Sequence, residues 1–555
     1  MKVPRLTALW VGSIAALAVL AAVAVLVTSA GVGARTARAD TPTTACAPGT
    51  DVTIDSGPIC GASVNGTNEW FGIPYAAPPV GALRWQPPQP ATPWSTTLQA
   101  TQFGSECTQS FGTTTLLGSE DCLFVNVWGP ADGSTGLPVL VHIHGGGFVF
   151  GSGNGDNSLL SSTGHEVVVS FNYRLGIFGF LAEQALGANS GDYGLQDQQA
   201  ALRWVQNNIA RFGGDPANVT IYGESAGGSS VCDQIASPTA NGLFERGISV
   251  SGEYNTLLGS PNSLEQQDCK SQIPTKAQAV AAGKNFAAAA GCGPGTPDVA
   301  ACLRNLSPTT AQTIAGGGVV GGFFPVGYQD GGQGTVGPTI NGTTLKMTLR
   351  QALATGHVNH VDVIAGTDRD ENLVGTATTA AQYQNLVDTQ YGSFASEVLA
   401  KYPLSHFDNP GLAWRTVAAD SDTVCPSLEI AKALASRMPT REYEIDDNDL
   451  PPYRASGPGV VAPGASHVGG WFLTPVTPAL DANQQVLQDQ ELAFVTAFAR
   501  NGNPNTTGVP VWPRLNNTND VMSLQPAGDS ELVTTDEMAT QHNCAFWDRV
   551  AKHAP

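Results

Sequence analysis

A serine acts as a nucleophile only where a base can take its proton and dipoles can hold the negative charge that forms on the substrate oxygen. The stretch Tyr222-Gly223-Glu224-Ser225-Ala226-Gly227-Gly228 sets Ser225 in the spacing Gly-x-Ser-x-Gly. At a sharp strand-to-helix turn such a serine attacks acyl carbonyls. In a chain with 64 glycines the pentapeptide also arises by chance, so the plain alternative is a tight turn with an exposed serine. A second group lies upstream, His144-Gly145-Gly146-Gly147. Consecutive glycines can aim backbone N–H groups into one concave site, because no Cβ blocks the approach. Gly146 and Gly147, with the N–H of Ala226 after the serine, are therefore candidate oxyanion donors. The plain alternative is an ordinary glycine loop; a P-loop reading fails, since no Gly-Lys-Ser/Thr follows.

The serine needs a base and the base an orienting acid, in the chain order serine, acid, histidine for a strand–turn–helix nucleophile. Six histidines follow Ser225: His357, His360, His406, His467, His542 and His553. His467 stands among small residues, Pro463-Gly464-Ala465-Ser466-His467-Val468-Gly469-Gly470, which can press an imidazole into a crowded site. His406 and His542 lie in ordinary polar surroundings. For the acid, Thr367-Asp368-Arg369-Asp370-Glu371-Asn372 offers three carboxylates after an apolar run. Local chemistry does not choose among them, and at least two are expected to be solvated or capping.

The elements that must carry these groups are legible as alternating strands and helices. Asn218 to Tyr222 is apolar and β-branched, a buried-strand signal directly before the serine, and Val231 to Ile235 suits a helix after it. Further strands are expected at Val52–Ile54, Trp70–Tyr75, Cys122–Trp128, Leu137–Ile143, Val167–Tyr173 and Val361–Gly366. Helices are expected at Gln196–Ile209, across the alanine-rich 275–315 region, and at Ala380–Tyr402, Pro426–Ser436 and Gln484–Asn501. Gly316–Gly334 and Pro451–Gly470 read as loops. This order predicts an α/β fold, a large mostly parallel twisted sheet flanked by helices, in a single large domain.

Charged residues make up 13% and hydrophobic ones 42% of the 555 residues, enough apolar chain for a sizeable core. A net charge of −20 argues against nucleic acid and anionic lipid as partners. Lys2 and Arg5, an apolar run from Ala8 to Val27 and Ala37-Arg38-Ala39 predict a signal peptide over residues 1–39, with an uncleaved anchor as the competing reading. A mobile lead-in over 40–51 follows, then one domain over 52–555. Export permits disulfides, and the ten cysteines are an even number. None has zinc-site spacing, so no structural metal is expected.

Several stretches together resemble the type-B carboxylesterase family, the cholinesterase-like α/β-hydrolases. They are Phe71 to Ala76 with Pro78-Pro79-Val80-Gly81 and Leu83-Arg84, then Ser119-Glu120-Asp121-Cys122-Leu123, Asn172 to Gly176, Gly194 to Gln198, Gly223 to Gly228, and Cys544-Ala545-Phe546-Trp547. The resemblance runs from about Val52 to Val550. It implies the α/β-hydrolase fold and no cofactor. It also selects Glu371 as the acid and His467 as the histidine, although Asn372 stands where the family has glycine. It implies disulfides Cys107–Cys122, Cys292–Cys302 and Cys425–Cys544, and structural ion pairs Arg84–Glu120 and Arg174–Asp197. Cys46–Cys60 and Cys232–Cys269 are the natural pairings of the other four, for which three arrangements exist. Glu224 would add negative potential, and Ser251 resembles a buried serine near the family's triad.

The expected function is a secreted serine hydrolase of soluble short- to medium-chain esters. The loop Thr108–Asp121 is short and has no tryptophan, so the aromatic cation site of cholinesterases is missing, as is a large lipase lid. The alternatives are a lipase or sterol esterase on long-chain lipids, and a noncatalytic cholinesterase-like binding protein.

Overall fold

Val167-Val168-Val169-Ser170-Phe171 is buried along its whole length, on both faces, as an interior strand of a parallel sheet must be. It belongs to an 11-stranded sheet in a computed structural model that describes residues 46–110, 116–253, 269, 273–315, 337–371, 377–447, 473, 480–516 and 519–553. The strands are β1 (Val52–Ile54), β2 (Gly57–Cys60), β3 (Ala62–Val64), β4 (Thr67–Pro74), β5 (Leu98–Gln99), β6 (Phe124–Pro130), β7 (Leu137–Ile143), β8 (Val167–Phe171), β9 (Gly214–Glu224), β10 (Arg246–Val250), β11 (Asp362–Asp368), β12 (Thr440–Ile445), β13 (Asn519–Leu524) and β14 (Glu531–Thr534). The large sheet runs β14-β13-β12-β11-β10-β9-β7-β8-β6-β4-β3, and β1, β2 and β5 form a small one. Pairs from β8 through β7 to β13 are parallel, and the antiparallel pairs lie at the two ends. The expected fold class is the one observed.

Alternation along β7 shows how the strands feed two cores. Val139, Val141 and Ile143 join one apolar cluster with Val219, Ile221, Val363 and residues of the helices Tyr193–Asn208, Ala226–Ala236 and Cys425–Ala435. Leu140 joins the other, with Val168, Ile248 and Ile364 against Leu487, Phe494 and Phe498 of the helix Ala482–Asn501. Two satellite clusters complete the packing. One lies under the helices of 276–314, and the other holds Tyr383, Tyr391, Trp414 and Trp547 around Cys425 and Cys544.

Three expectations shift. The helix after the serine starts at Ala226, directly behind it, rather than at Val231. The helix expected over 380–402 is two, Ala380–Tyr391 and Ala395–Lys401, broken at Gly392, whose φ of 50° no helix interior accepts. The strand β12 was not expected. All six of its residues are buried although Arg441, Glu442 and Glu444 are ionisable, and charged residues carry no buried-strand signal. The segments 1–39, Gly316–Gly334 and Pro451–Gly470 lie outside the described residues.

Candidate active site

The sheet register brings the reactive segments to one edge. Ile143 pairs with Gly223, Glu224 with Val250, and Val250 with Gly366. The turn after β7, the serine after β9, the corner after β10 and the acidic turn after β11 therefore leave the carboxyl ends of four neighbouring parallel strands. Ligand sites of open α/β sheets occupy this edge.

Ser225 has φ 57° and ψ −127°, a strained conformation for a residue with a Cβ. Two contacts hold it there: its N–H donates to the Val250 carbonyl, and its own carbonyl accepts from the Ser229 N–H, both at 2.9 Å. Strand and helix meet so closely that a Cβ on Gly227 would sit 2.1 Å from the Ile143 oxygen, which explains the small residue two places after the serine. Across the gap, Gly146 and Gly147 have φ of 101° and 61°. The Gly146 carbonyl accepts from Val149 and Phe150 N–H, and the His144 carbonyl accepts from Tyr173 Oη at 2.9 Å. Among the described residues no backbone acceptor takes the N–H of Gly146, Gly147 or Ala226. Ser225 itself is half-buried, and a Cβ on Gly145 would lie 3.2 Å from its own Cβ, so the glycine turn runs directly beside it.

The acidic turn is dry. Asp368, Asp370 and Glu371 are 0%, 5% and 1% exposed, so the expectation that at least two of them would be solvated or capping is corrected. Charge pairing makes this tolerable: Arg369 lies 3.0 Å from Asp370 and also binds Asp446 just beyond β12. Thr416 Oγ1 donates to Asp370 at 3.3 Å. Glu371 instead accepts from Thr367 Oγ1 at 2.9 Å.

Of the candidate histidines, His357, His360 and His406 are exposed. His542 is not in ordinary polar surroundings: it is buried with Nδ1 2.5 Å from Asp420 and Nε2 2.7 Å from Glu444. Burial opposes its cation, but Glu444 and Asp420 overcome that and hold its pKa well above the usual value. With both ring nitrogens on carboxylates it ties the C-terminal segment to β12. His467 lies outside the described residues.

The loop between Cys107 and Cys122 folds back as a hairpin in its described part, with Gln109 and Leu117 exchanging backbone hydrogen bonds. The Gln109 side chain donates to the Gly151 carbonyl at 3.0 Å and accepts from its N–H at 2.9 Å, fastening the loop to the chain after the Gly146 turn. Arg84–Glu120 and Arg174–Asp197 are both two-pronged pairs, at 2.5–2.6 Å and 2.7 Å. Disulfides join Cys46–Cys60, Cys107–Cys122, Cys232–Cys269, Cys292–Cys302 and Cys425–Cys544.

Two buried acids near the site escaped the sequence reading. Glu253 follows Ser251, whose φ is 46°, and Glu442 lies in β12; they are 1% and 0% exposed. A lone acid beside a glycine reads as loop surface, and only the neighbouring buried Ser251 could have drawn attention to it.

A family model described as "Carboxylesterase family" matches residues 48–547. The para-nitrobenzyl esterase of Bacillus subtilis is 33% identical over 83% of this chain and 92% of its own. The fumonisin B1 esterase of Sphingopyxis macrogoltabida is 31% identical over 83% and 84%. A solved structure of PNB esterase superposes with a TM-score of 0.71 at 28% identity, covering 89% of this chain and 99% of that one.

Proposed function

Since the chain belongs to the carboxylesterase family and is a carboxylic-ester hydrolase, we propose that it works through an acyl-enzyme on Ser225, with His467 as base and then acid and Glu371 as the orienting carboxylate. Ser225 Oγ adds to the ester carbonyl while the imidazole takes its proton. The oxyanion is held by the N–H groups of Gly146, Gly147 and Ala226. The proton passes to the departing alcohol as the C–O bond breaks. Water, deprotonated by the same imidazole, then releases the acid and restores the serine. No step calls for a cofactor or metal.

The observation that carries this is the strained Ser225 conformation at the head of its helix, beside a glycine turn whose N–H groups at Gly146 and Gly147, like that of Ala226, meet no backbone acceptor among the described residues. Among the candidate histidines whose side chains are described, His357, His360 and His406 are exposed and His542 is committed to Asp420 and Glu444, which supports His467. Because the base must be neutral to act, activity rises through the range in which imidazoles lose their proton, roughly pH 6–7, and then levels.

The substrates are soluble esters with short to medium acyl chains. The short loop between Cys107 and Cys122 supports this, since its described part is fastened through Gln109 to Gly151 and a large lid needs more length. Five disulfides fit export into an oxidising compartment, guided by the segment 1–39. Among the described residues no helix is long and apolar enough to cross a membrane. The test is stoichiometric labelling by an organophosphonate mapped to Ser225, followed by esters from acetyl to palmitoyl beside butyrylcholine and an emulsified triglyceride. Rates should follow dissolved ester with no jump at micelle formation. Labelling elsewhere would remove Ser225 from the mechanism, and preference for the emulsion would make the enzyme a lipase.

A further inference from the structure

The corner after β10 touches both sides of the site. Ser251 N–H donates to the Gly366 carbonyl of β11, the strand that leads to Glu371. Gly252 presses on the first turn of the nucleophile's helix, where a Cβ would lie 2.4 Å from the Gly228 carbonyl carbon. Ser229 Oγ donates to the Gly252 carbonyl at 2.7 Å. One carboxylate closes this corner: Glu253 accepts from Ser249 Oγ at 2.5 Å and from Gly252 N–H at 3.0 Å, beside the Cys232–Cys269 disulfide. The ionisable groups facing it are Glu371 from the turn after β11 and Glu442 from β12, with Glu444 and Lys432 acting on Glu442 from the other side.

We propose that Glu253 is a positioning residue for the hydrolysis. It fastens the corner against the nucleophile's helix and sets a second carboxyl near Glu371, so that its ionisation decides how much negative charge accompanies the orienting acid. Burial pushes its pKa up to about 7, with Ser249 and Gly252 pulling down and Glu371 pushing further up. Below neutrality Glu371 carries the charge alone. As Glu253 ionises, a like charge joins it and the imidazole becomes more basic, which moves the acid limb of the activity profile toward higher pH.

The inference rests on Glu371 being the orienting acid. Its test is the pH dependence of kcat/KM and of phosphonate labelling in Glu253→Gln, which keeps the shape of the side chain and cannot ionise. The acid limb should move down by about half a pH unit, making labelling roughly threefold faster on that limb. Ser249→Ala removes a donor that favours the charged form, and so should move the limb the same way if Glu253→Gln does not fold. An unmoved limb in whichever folded variant is obtained, even with a lowered plateau, would reduce Glu253 to a structural residue and overturn the proposal. A fully active Glu371→Gln would overturn the assignment of the acid instead, so the two failures are told apart.

Discussion

On the nucleophile side an added methyl group at Gly227 would meet a carbonyl oxygen at 2.1 Å, whereas around the acidic turn buried side chains meet charge to charge, Arg369 on Asp370 and His542 between Asp420 and Glu444. The first side is held by backbone brought into contact through glycine, so it has no tolerance for volume. The second is held by ionisable side chains in a dry setting, so it tolerates isosteric change and responds to protons. A hydrolase must fix its serine and oxyanion donors to a fraction of an ångström. The acid acts through the imidazole and needs the right charge more than a rigid frame.

The comparison can be broken at several points. The largest effect expected is Ser225→Ala, with turnover falling by about 10⁴-fold or more and an unchanged melting temperature. Substantial hydrolysis by the folded variant would dismantle the nucleophile side. Glu371→Gln should lower kcat by on the order of 10³- to 10⁴-fold while the fold stays intact. Asp368→Asn and Asp370→Asn should cost less, and the reverse ranking would move the acid to another carboxylate. Gly227→Ala should lower activity about a hundredfold together with stability, because strand and helix must separate; a neutral result would mean that the elbow has slack.

Smaller effects come from carboxyls buried across the molecule. Burial raises the pKa of Glu166 and Asp192 to about 8 and of Glu253 and Asp422 to about 7. In the unfolded chain these acids ionise near their ordinary values of about 4. Between about pH 4 and 8 the native state therefore binds more protons, and its stability falls as pH rises. The raised pKa of His542 acts in the same direction above its ordinary value. Calorimetry should find a higher melting temperature at pH 5 than at pH 8, and the opposite slope would mean that these groups are hydrated. The smallest change expected is Glu442→Gln. Burial holds that carboxyl well above its usual range, which favours the uncharged form, and the amide replaces it within about 1 kcal/mol.

The same contrast decides what a reader of the sequence can see. Glycines at 223 and 227 and the run after His144 announce the nucleophile side, because glycine is the residue that close backbone approach requires. Val139 to Ile143 and Val167 to Phe171 announce its strands by apolar content. The acidic side speaks in residues that ordinarily mark surfaces. Thr440-Arg441-Glu442-Tyr443-Glu444-Ile445 carries no buried-strand pattern, and His542 looks like any polar histidine until Asp420, 122 positions away, is brought against it. Glu371 became distinct from Asp368 and Asp370 only through resemblance, since all three are buried and each finds different partners. Pairing across the sheet, not local periodicity, settles such positions.

Four of the five disulfides close spans of 10 to 37 residues, while Cys425–Cys544 spans 119. Within that span lie β12, the helix Ala482–Asn501, β13 and β14. A single peptide bond hydrolysed anywhere between the two cysteines leaves two polypeptides that cannot diffuse apart, since each keeps one sulfur of the bridge. Such a nicked molecule runs at full mass on a denaturing gel without thiol and as two bands with it. Proteolysis within this span would then convert the enzyme from one chain to two without dispersing its sheet.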